Sequence, residues 1–254
     1  MNLPLNPPPL ADRDSALFVD FDGTLVDLAL TPDAVAVSAE VPDLLQRLRT
    51  LLDGAVAVVS GRPVAQIDRL LQPLKLCAAG VHGVERRGAD GQLQRQVTVD
   101  LRPAATLVGS LVDAHPGLRL EQKDGAIALH YRLVPTLEPL CLHTMTQALA
   151  ITRGMMLMHG KMVIEMKPQG TSKGLAVQAF MQEAPFLNRR AWFFGDDVTD
   201  ESGFEAVLAL GGVAVKIGAG PTLAPHRLAD PAAVHRWLSS TAAHLSAPTR
   251  KATP

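Results

Sequence analysis

The sequence predicts an α/β fold: a parallel sheet with helices on both faces, interrupted by a separate α+β insert. Two patterns carry that expectation. Short apolar runs at 16–19, 55–59, 76–79 and 191–194 are continuous rather than alternating, and stretches of helical spacing separate them. Strands covered on both faces look like this. From about residue 85 to 167 apolar and polar residues alternate instead, and tight-turn dipeptides appear. That is the mark of a sheet with one wetted face.

The elements follow in order. Residues 1–13, with the run Pro7-Pro8-Pro9, read as a flexible leader. The first strand ends in Asp20-Phe21-Asp22-Gly23-Thr24, and Thr31-Pro32-Asp33 is a turn. Val41-Pro42 opens a helix through Leu44, Leu45, Leu48 and Leu51. The second strand stops at Ser60-Gly61-Arg62-Pro63, a helix covers 64–71, and the third strand runs into Gly80-Val81-His82-Gly83. In the insert, Asp90-Gly91 and Asp124-Gly125 are strong two-residue hairpin signals and His159-Gly160 a weaker one, with helices over 104–114 and 137–151. Pro168-Gln169-Gly170 closes it. Thr171 or Ser172 then caps a helix to about 182 with Lys173 in its first turn. The next strand ends in Gly195-Asp196-Asp197, a helix passes through Phe204, Val207 and Leu208, and a last strand covers 212–216. A helix over 231–238 and a flexible tail at 247–254 finish the chain. The expected division is a core of 1–84 and 168–246 around an insert of 85–167.

Composition narrows the function. At 254 residues with 47% apolar and 19% charged content, the chain can bury one core plus a smaller domain. A net charge of −1 and no basic tract argue against nucleic acid, and no run has membrane-spanning length. Cys77 and Cys141 lack metal-ligand spacing and read as buried thiols. With no secretory leader evident, a cytoplasmic location is expected.

Ligands of open α/β sheets bind at the carboxyl ends of the strands, so the polar strand ends should meet in one crevice. Asp20 and Asp22 leave their strand on the same side, and two like charges that close repel unless a cation or a shared proton relieves them, a cost that suggests a divalent metal. With Asp196 they offer hard oxygen ligands for Mg²⁺. Ser60, Lys173 and a helix N-terminus suit the oxygens of a phosphoryl group. Gly170-Thr171-Ser172-Lys173 is not a nucleotide P-loop, because the glycine spacing before the lysine is missing. Any one of these signals has an ordinary structural explanation; their conjunction at successive strand ends is what argues for chemistry.

In the order Asp-x-Asp-Gly-Thr, Ser-Gly-Arg, Lys-Gly and Gly-Asp-Asp-x-Thr-Asp-Glu the chain resembles the haloacid dehalogenase (HAD) superfamily of phosphohydrolases, whose core is Rossmann-like. An α+β insert before the lysine matches the superfamily's second cap class, C2. Within it, residues 59–62, 80–85, 120–123, 130–132, 163–168 and 195–201 are similar to trehalose-6-phosphate phosphatases. The resemblance implies a Mg²⁺-dependent phosphatase acting on trehalose 6-phosphate. Asp20 would be the nucleophile that becomes an aspartyl-phosphate and Asp22 the general acid and base. Asp20, the Asp22 carbonyl and Asp196 would hold Mg²⁺. Thr24, Ser60, Gly61 and Lys173 would bind phosphate, and Asp197 and Asp200 would orient metal waters or Lys173. It also suggests association with a trehalose-6-phosphate synthase.

The insert's polar face can be laid out from the hairpin alone. If Asp124-Gly125 is the turn, Lys123 pairs with Ala126, Glu121 with Ala128 and Arg119 with His130. Glu121, Lys123, His130 and Arg132 then share one face. Leu118, Leu120, Ile127, Leu129, Tyr131 and Leu133 share the other, against the helices. Glu165 points off the apolar face of the last strand. The resemblance makes Glu121, Lys123 and Glu165 ligands of the distal sugar, with Arg62 and His82 near the junction and His130 and Arg132 on the same wall. The competing expectations are another sugar-phosphate phosphatase of this cap class, such as one for sucrose phosphate, and a catalytically silent regulatory homologue. A receiver-type phosphoacceptor module fits poorly, being about half as long with its acceptor after the third strand.

Overall fold

The computed structural model describes residues 6–29, 31, 34–95 and 99–247. The turn expected at Thr31-Pro32-Asp33 and most of the expected tail lie largely outside these residues. The large sheet has the order β12-β11-β10-β1-β2-β3-β4-β5. Its centre is β1 (Ser15–Val19), flanked by β2 (Val56–Val59) and β10 (Arg190–Gly195), with β3 (Cys77–Gly80) and β11 (Val213–Ile217) beyond them, all parallel. These strands are almost wholly apolar and buried, which is why they read as continuous runs. On one face Phe18 packs against Phe180 and Phe186; on the other Trp237 lies against Trp192 and Phe194. Helices α1 (Glu40–Leu51), α2 (Val64–Leu70), α5 (Lys173–Phe180), α6 (Glu201–Ala209) and α7 (Pro231–Ser246) belong to this layer.

A second, four-stranded antiparallel sheet has the order β6-β7-β9-β8. It comprises β6 (Arg119–Lys123), β7 (Ala126–His130), β8 (Met155–Gly160) and β9 (Val163–Pro168). Helices α3 (Arg102–Ala114) and α4 (Glu138–Ala150) cover one of its faces around Val108, Leu129, Met145 and Ile164. The register across Asp124-Gly125 is the expected one, with Glu121 opposite Ala128 and Lys123 opposite Ala126. Cys77 and Cys141 are buried free thiols.

Several expectations give way. The hairpin around Asp90-Gly91, β4 (Glu85–Arg87) and β5 (Leu93–Arg95), was expected to open the insert but extends the large sheet, because β4 pairs antiparallel with β3. Its loop is also longer than two residues. His159-Gly160 lies inside β8; the turn is Lys161-Met162, with Met162 taking the left-handed conformation at φ +63. Leu133 faces solvent, being past the end of β7. A short strand, β12 (His226–Leu228), pairs with β11 and has no apolar run to announce it. The last helix continues to Ser246, since Thr241, Ala242 and Leu245 are buried at helical spacing. Residues 6–13, expected to be a loose leader, pack down instead: Ala11 is fully buried and the Pro9 carbonyl accepts the Trp237 indole N–H at 2.9 Å. Among the described residues no helix is long and apolar enough to cross a membrane.

Candidate active site

The strand order reverses at β1, and the site sits at that reversal, where carboxyl ends of β1, β2 and β10 come together. Asp20 is buried and accepts from the Lys173 ammonium at 2.8 Å. Ser172 caps α5, its hydroxyl accepting the Leu175 N–H, and this places Lys173 at the helix start. Lys173 also reaches Asp200 at 2.7 Å. Asp200 takes the main-chain N–H groups of Asp196 (3.1 Å) and Asp197 (2.9 Å), so it fastens the β10 loop to the lysine. Asp197 caps the short turn that follows. Gly23 lies so close to Asp196 that a Cβ there would fall 2.2 Å from its carboxylate, and its φ of +81 also suits glycine.

Asp20, Asp196 and Asp200 carry carboxylate oxygens within 4.8 Å of one another. Burial, then the Asp200 charge, lifts the Asp20 carboxyl well above its ordinary range despite Lys173. Burial likewise raises Asp196, partly countered by Lys161. Lys173 is pushed the other way: burial disfavours its charge, but Asp20 and Asp200 outweigh that and hold it protonated. An oxygen-only, acid-rich cluster short of positive charge fits a hard divalent cation such as Mg²⁺. Asp22 engages Arg62 through both carboxylate oxygens, at 2.6 and 2.7 Å.

Ser60 and Gly61 lie at the crevice wall, where the Ser60 hydroxyl accepts the Arg62 N–H at 3.1 Å. Gly61 must be small, since a Cβ would stand 2.6 Å from the His82 ring, and its carbonyl accepts from Lys123 at 3.0 Å. Thr24 is fully buried with its hydroxyl unpartnered, and it does not line the crevice. Glu165 meets His82 Nε2 at 3.0 Å and Lys123 at 3.3 Å; Glu121 meets His130 at 2.9 Å. Burial works against the Glu165 charge, but Lys123 and His82 more than offset it and hold the carboxyl below its usual range. Glu121 is lowered too, its His130 and Lys123 partners outweighing burial. Burial lowers His82, against the pull of Glu165. Arg132 also lines the crevice and donates to the Lys161 carbonyl at 3.0 Å.

Two residues enter that the sequence reading passed over. Lys161, on the β8–β9 turn, donates to the Asp196 carboxylate and, at 3.2 Å, to its carbonyl. Lys216 is buried and donates to the main-chain carbonyls of Asp196 and Ile217. Lys216 follows the apolar run Val213-Ala214-Val215, a strand-end position like that of Asp20, so a signal for it existed. The crevice holds a cavity of about 180 Å³ between the two sheets.

A family profile described as trehalose-phosphatase matches residues 18–232. Trehalose-6-phosphate phosphatase of Escherichia coli K12 is 43% identical over 240 residues, 94% of this chain and 90% of that protein. The crystal structure of a trehalose-6-phosphate phosphatase related protein superposes with a TM-score of 0.78 at 28% identity, covering 90% of this chain and 97% of that one. A haloacid dehalogenase-like hydrolase from B. subtilis shares the fold, with a TM-score of 0.63 at 16% identity over 90% and 99% of the two chains. With its acidic strand ends and inserted second sheet, the chain therefore belongs to the trehalose-phosphatase family, phosphatases on the haloacid dehalogenase fold.

Proposed function

We propose that this phosphatase hydrolyses trehalose 6-phosphate to trehalose and inorganic phosphate, with Asp20 as nucleophile and the second sheet as a cap over the sugar. The observation that carries the reading is the pairing of Asp20 with Lys173 beneath a wall bearing Glu121, Lys123 and Glu165. In the first step an Asp20 oxygen bonds to phosphorus as the ester oxygen leaves, and Asp22, released from its pairing with Arg62 and protonated, delivers its proton to that oxygen. In the second, Asp22 takes a proton from water, the water oxygen bonds to phosphorus, and the Asp20 carboxylate is released. Lys173 and Ser60 steady the phosphoryl oxygens, and Asp200 keeps Lys173 in place. Asp20, Asp196 and the Asp22 carbonyl would hold Mg²⁺, which supplies charge neutralisation between nucleophile and phosphoryl group. Glu121, Lys123 and Glu165 orient sugar hydroxyls, which both donate and accept.

A cavity of about 180 Å³ is below the roughly 300–1,000 Å³ of typical ligand clefts. A disaccharide phosphate therefore enters with the cap lifted and is enclosed as it reseats. Two unpaired buried thiols fit a reducing, cytoplasmic setting. The proposal extends to association with the synthase that makes the substrate, which co-elution of the two proteins would test.

Phosphate release from trehalose 6-phosphate, sucrose 6-phosphate, glucose 6-phosphate and a small aryl phosphate, with Mg²⁺ and with a chelator, tests the reading. Trehalose 6-phosphate is expected to lead the panel, with turnover lost in chelator. Asp20→Asn is expected to lower turnover at least about 10⁴-fold on every ester. Preference for sucrose 6-phosphate would select the sister activity, and an active Asp20→Asn protein would remove the nucleophile.

A further inference from the structure

Among the described residues, the second sheet touches the core crevice at three polar points. Lys123 donates to the Gly61 carbonyl, and Glu165 meets His82. Both contacts fall on the loops after β2 and β3. The third is different in kind, because Lys161 binds the carboxylate of Asp196, a member of the acidic cluster itself. Asp196 is 6% exposed and Lys161 45% exposed, so the pair joins a fixed acid to a side chain at the edge of solvent. Among the described residues, no other side-chain cation pairs with that carboxylate: Lys173 is taken by Asp20 and Asp200, and Lys216 reaches only the Asp196 carbonyl.

The turn that carries Lys161 is fastened to the rest of the second sheet. Arg132 donates to the Lys161 carbonyl at 3.0 Å, and the Tyr131 N–H donates to the Met162 carbonyl at 3.1 Å. A pull on Lys161 is therefore a pull on β7 and β9.

We propose that Lys161 and a divalent cation compete for the Asp196 carboxylate, so that Lys161 is a latch through which metal binding loosens the cap and cap seating weakens the metal. This rests on the reading that Asp20 and Asp196 hold a divalent cation. An ammonium and a divalent ion on one carboxylate repel each other at close range. Whichever arrives displaces the other, and the coupling is reciprocal. The metal-free protein stays shut over its acidic cluster, while the metal-loaded protein has an unlatched turn and can admit a sugar phosphate. Lys161 is a positioning residue in this scheme, and its effect is visible with no substrate present.

Mn²⁺ affinity, read by electron paramagnetic resonance of the free ion, is compared in the parent chain, Lys161→Gln and Lys161→Arg. Hydrogen exchange of the 155–168 peptides is followed with and without Mn²⁺. Lys161→Gln is expected to bind Mn²⁺ about five- to tenfold more tightly, with Lys161→Arg close to the parent. Mn²⁺ is expected to speed exchange in the parent's turn and to leave that of Lys161→Gln unchanged. Equal or weaker binding by Lys161→Gln, or a turn in the parent indifferent to Mn²⁺, would overturn the latch while leaving the metal site standing. Failure of all three chains to bind Mn²⁺ would overturn the metal site and the latch together.

Discussion

Asp20 on the sheet wall and Glu165 on the cap wall are equally buried, 4% exposed each, yet their proton affinities move in opposite directions. Around Asp20 the neighbours are Asp200 and Asp196, with Lys173 shared among them, so burial wins and the carboxyl is raised. Around Glu165 the neighbours are Lys123 and His82, and burial loses. One wall is short of positive charge and suits a cation with a phosphoryl group. The other is close to neutral, rich in donors and acceptors, and suits an uncharged polyol. The two walls differ in charge balance rather than in depth.

The harshest way to break this contrast is Lys173→Met. It strands Asp20 and Asp200 without their shared ammonium, and losing one member of a buried ion pair costs about 3–5 kcal/mol. Urea unfolding in metal-free buffer should show that loss, and turnover should fall about 10³-fold or more. A variant as stable as its parent would mean that the sheet wall is not starved of charge.

The cap wall should respond more selectively. Glu165→Gln and Glu121→Ala are each expected to lower kcat/KM for the disaccharide phosphate about 100-fold, while a small aryl phosphate changes less than about threefold. Equal losses on both substrates would erase the division of labour between the walls.

The smallest effect is on acid stability. Glu165 is depressed in the folded protein, so its contribution is whole above its ordinary value of 4.5 and is lost as pH falls towards the lowered one. Thermal melts of the parent should therefore drop more steeply than those of Glu165→Gln as the pH goes below about 4.5. Parallel curves would place the acid sensitivity elsewhere.

How far the sequence reveals each wall has a physical explanation. Asp20, Ser60 and Asp196 stand out because buried parallel strands are uninterrupted apolar runs, and a charge at their ends is conspicuous. Glu121 and Lys123 can be placed because Asp124-Gly125 fixes one hairpin register. Lys161 escapes because its turn uses Met162 for the left-handed residue, so the nearby glycine misplaces the turn by two positions. The edge hairpin β4–β5 is misassigned because alternation reports a half-wet strand but not which sheet it joins. The Arg62 grip on Asp22 joins residues 40 apart, and local pattern carries no trace of it.

The place of β1 has one further consequence. Its two neighbours are β2, which follows soon after, and β10, where Arg190 stands beside Ser15 only after the whole second sheet has been made. On the ribosome, the central strand therefore waits with one flank empty through most of translation. A nascent chain halted at residue 167 already owns Asp20, Ser60 and the polar face of the second sheet, but neither Lys173 nor Asp196. Under the proposed mechanism such a half-made copy would lack the lysine that holds the phosphoryl oxygens, so the acidic crevice is completed only by the last third of the polypeptide.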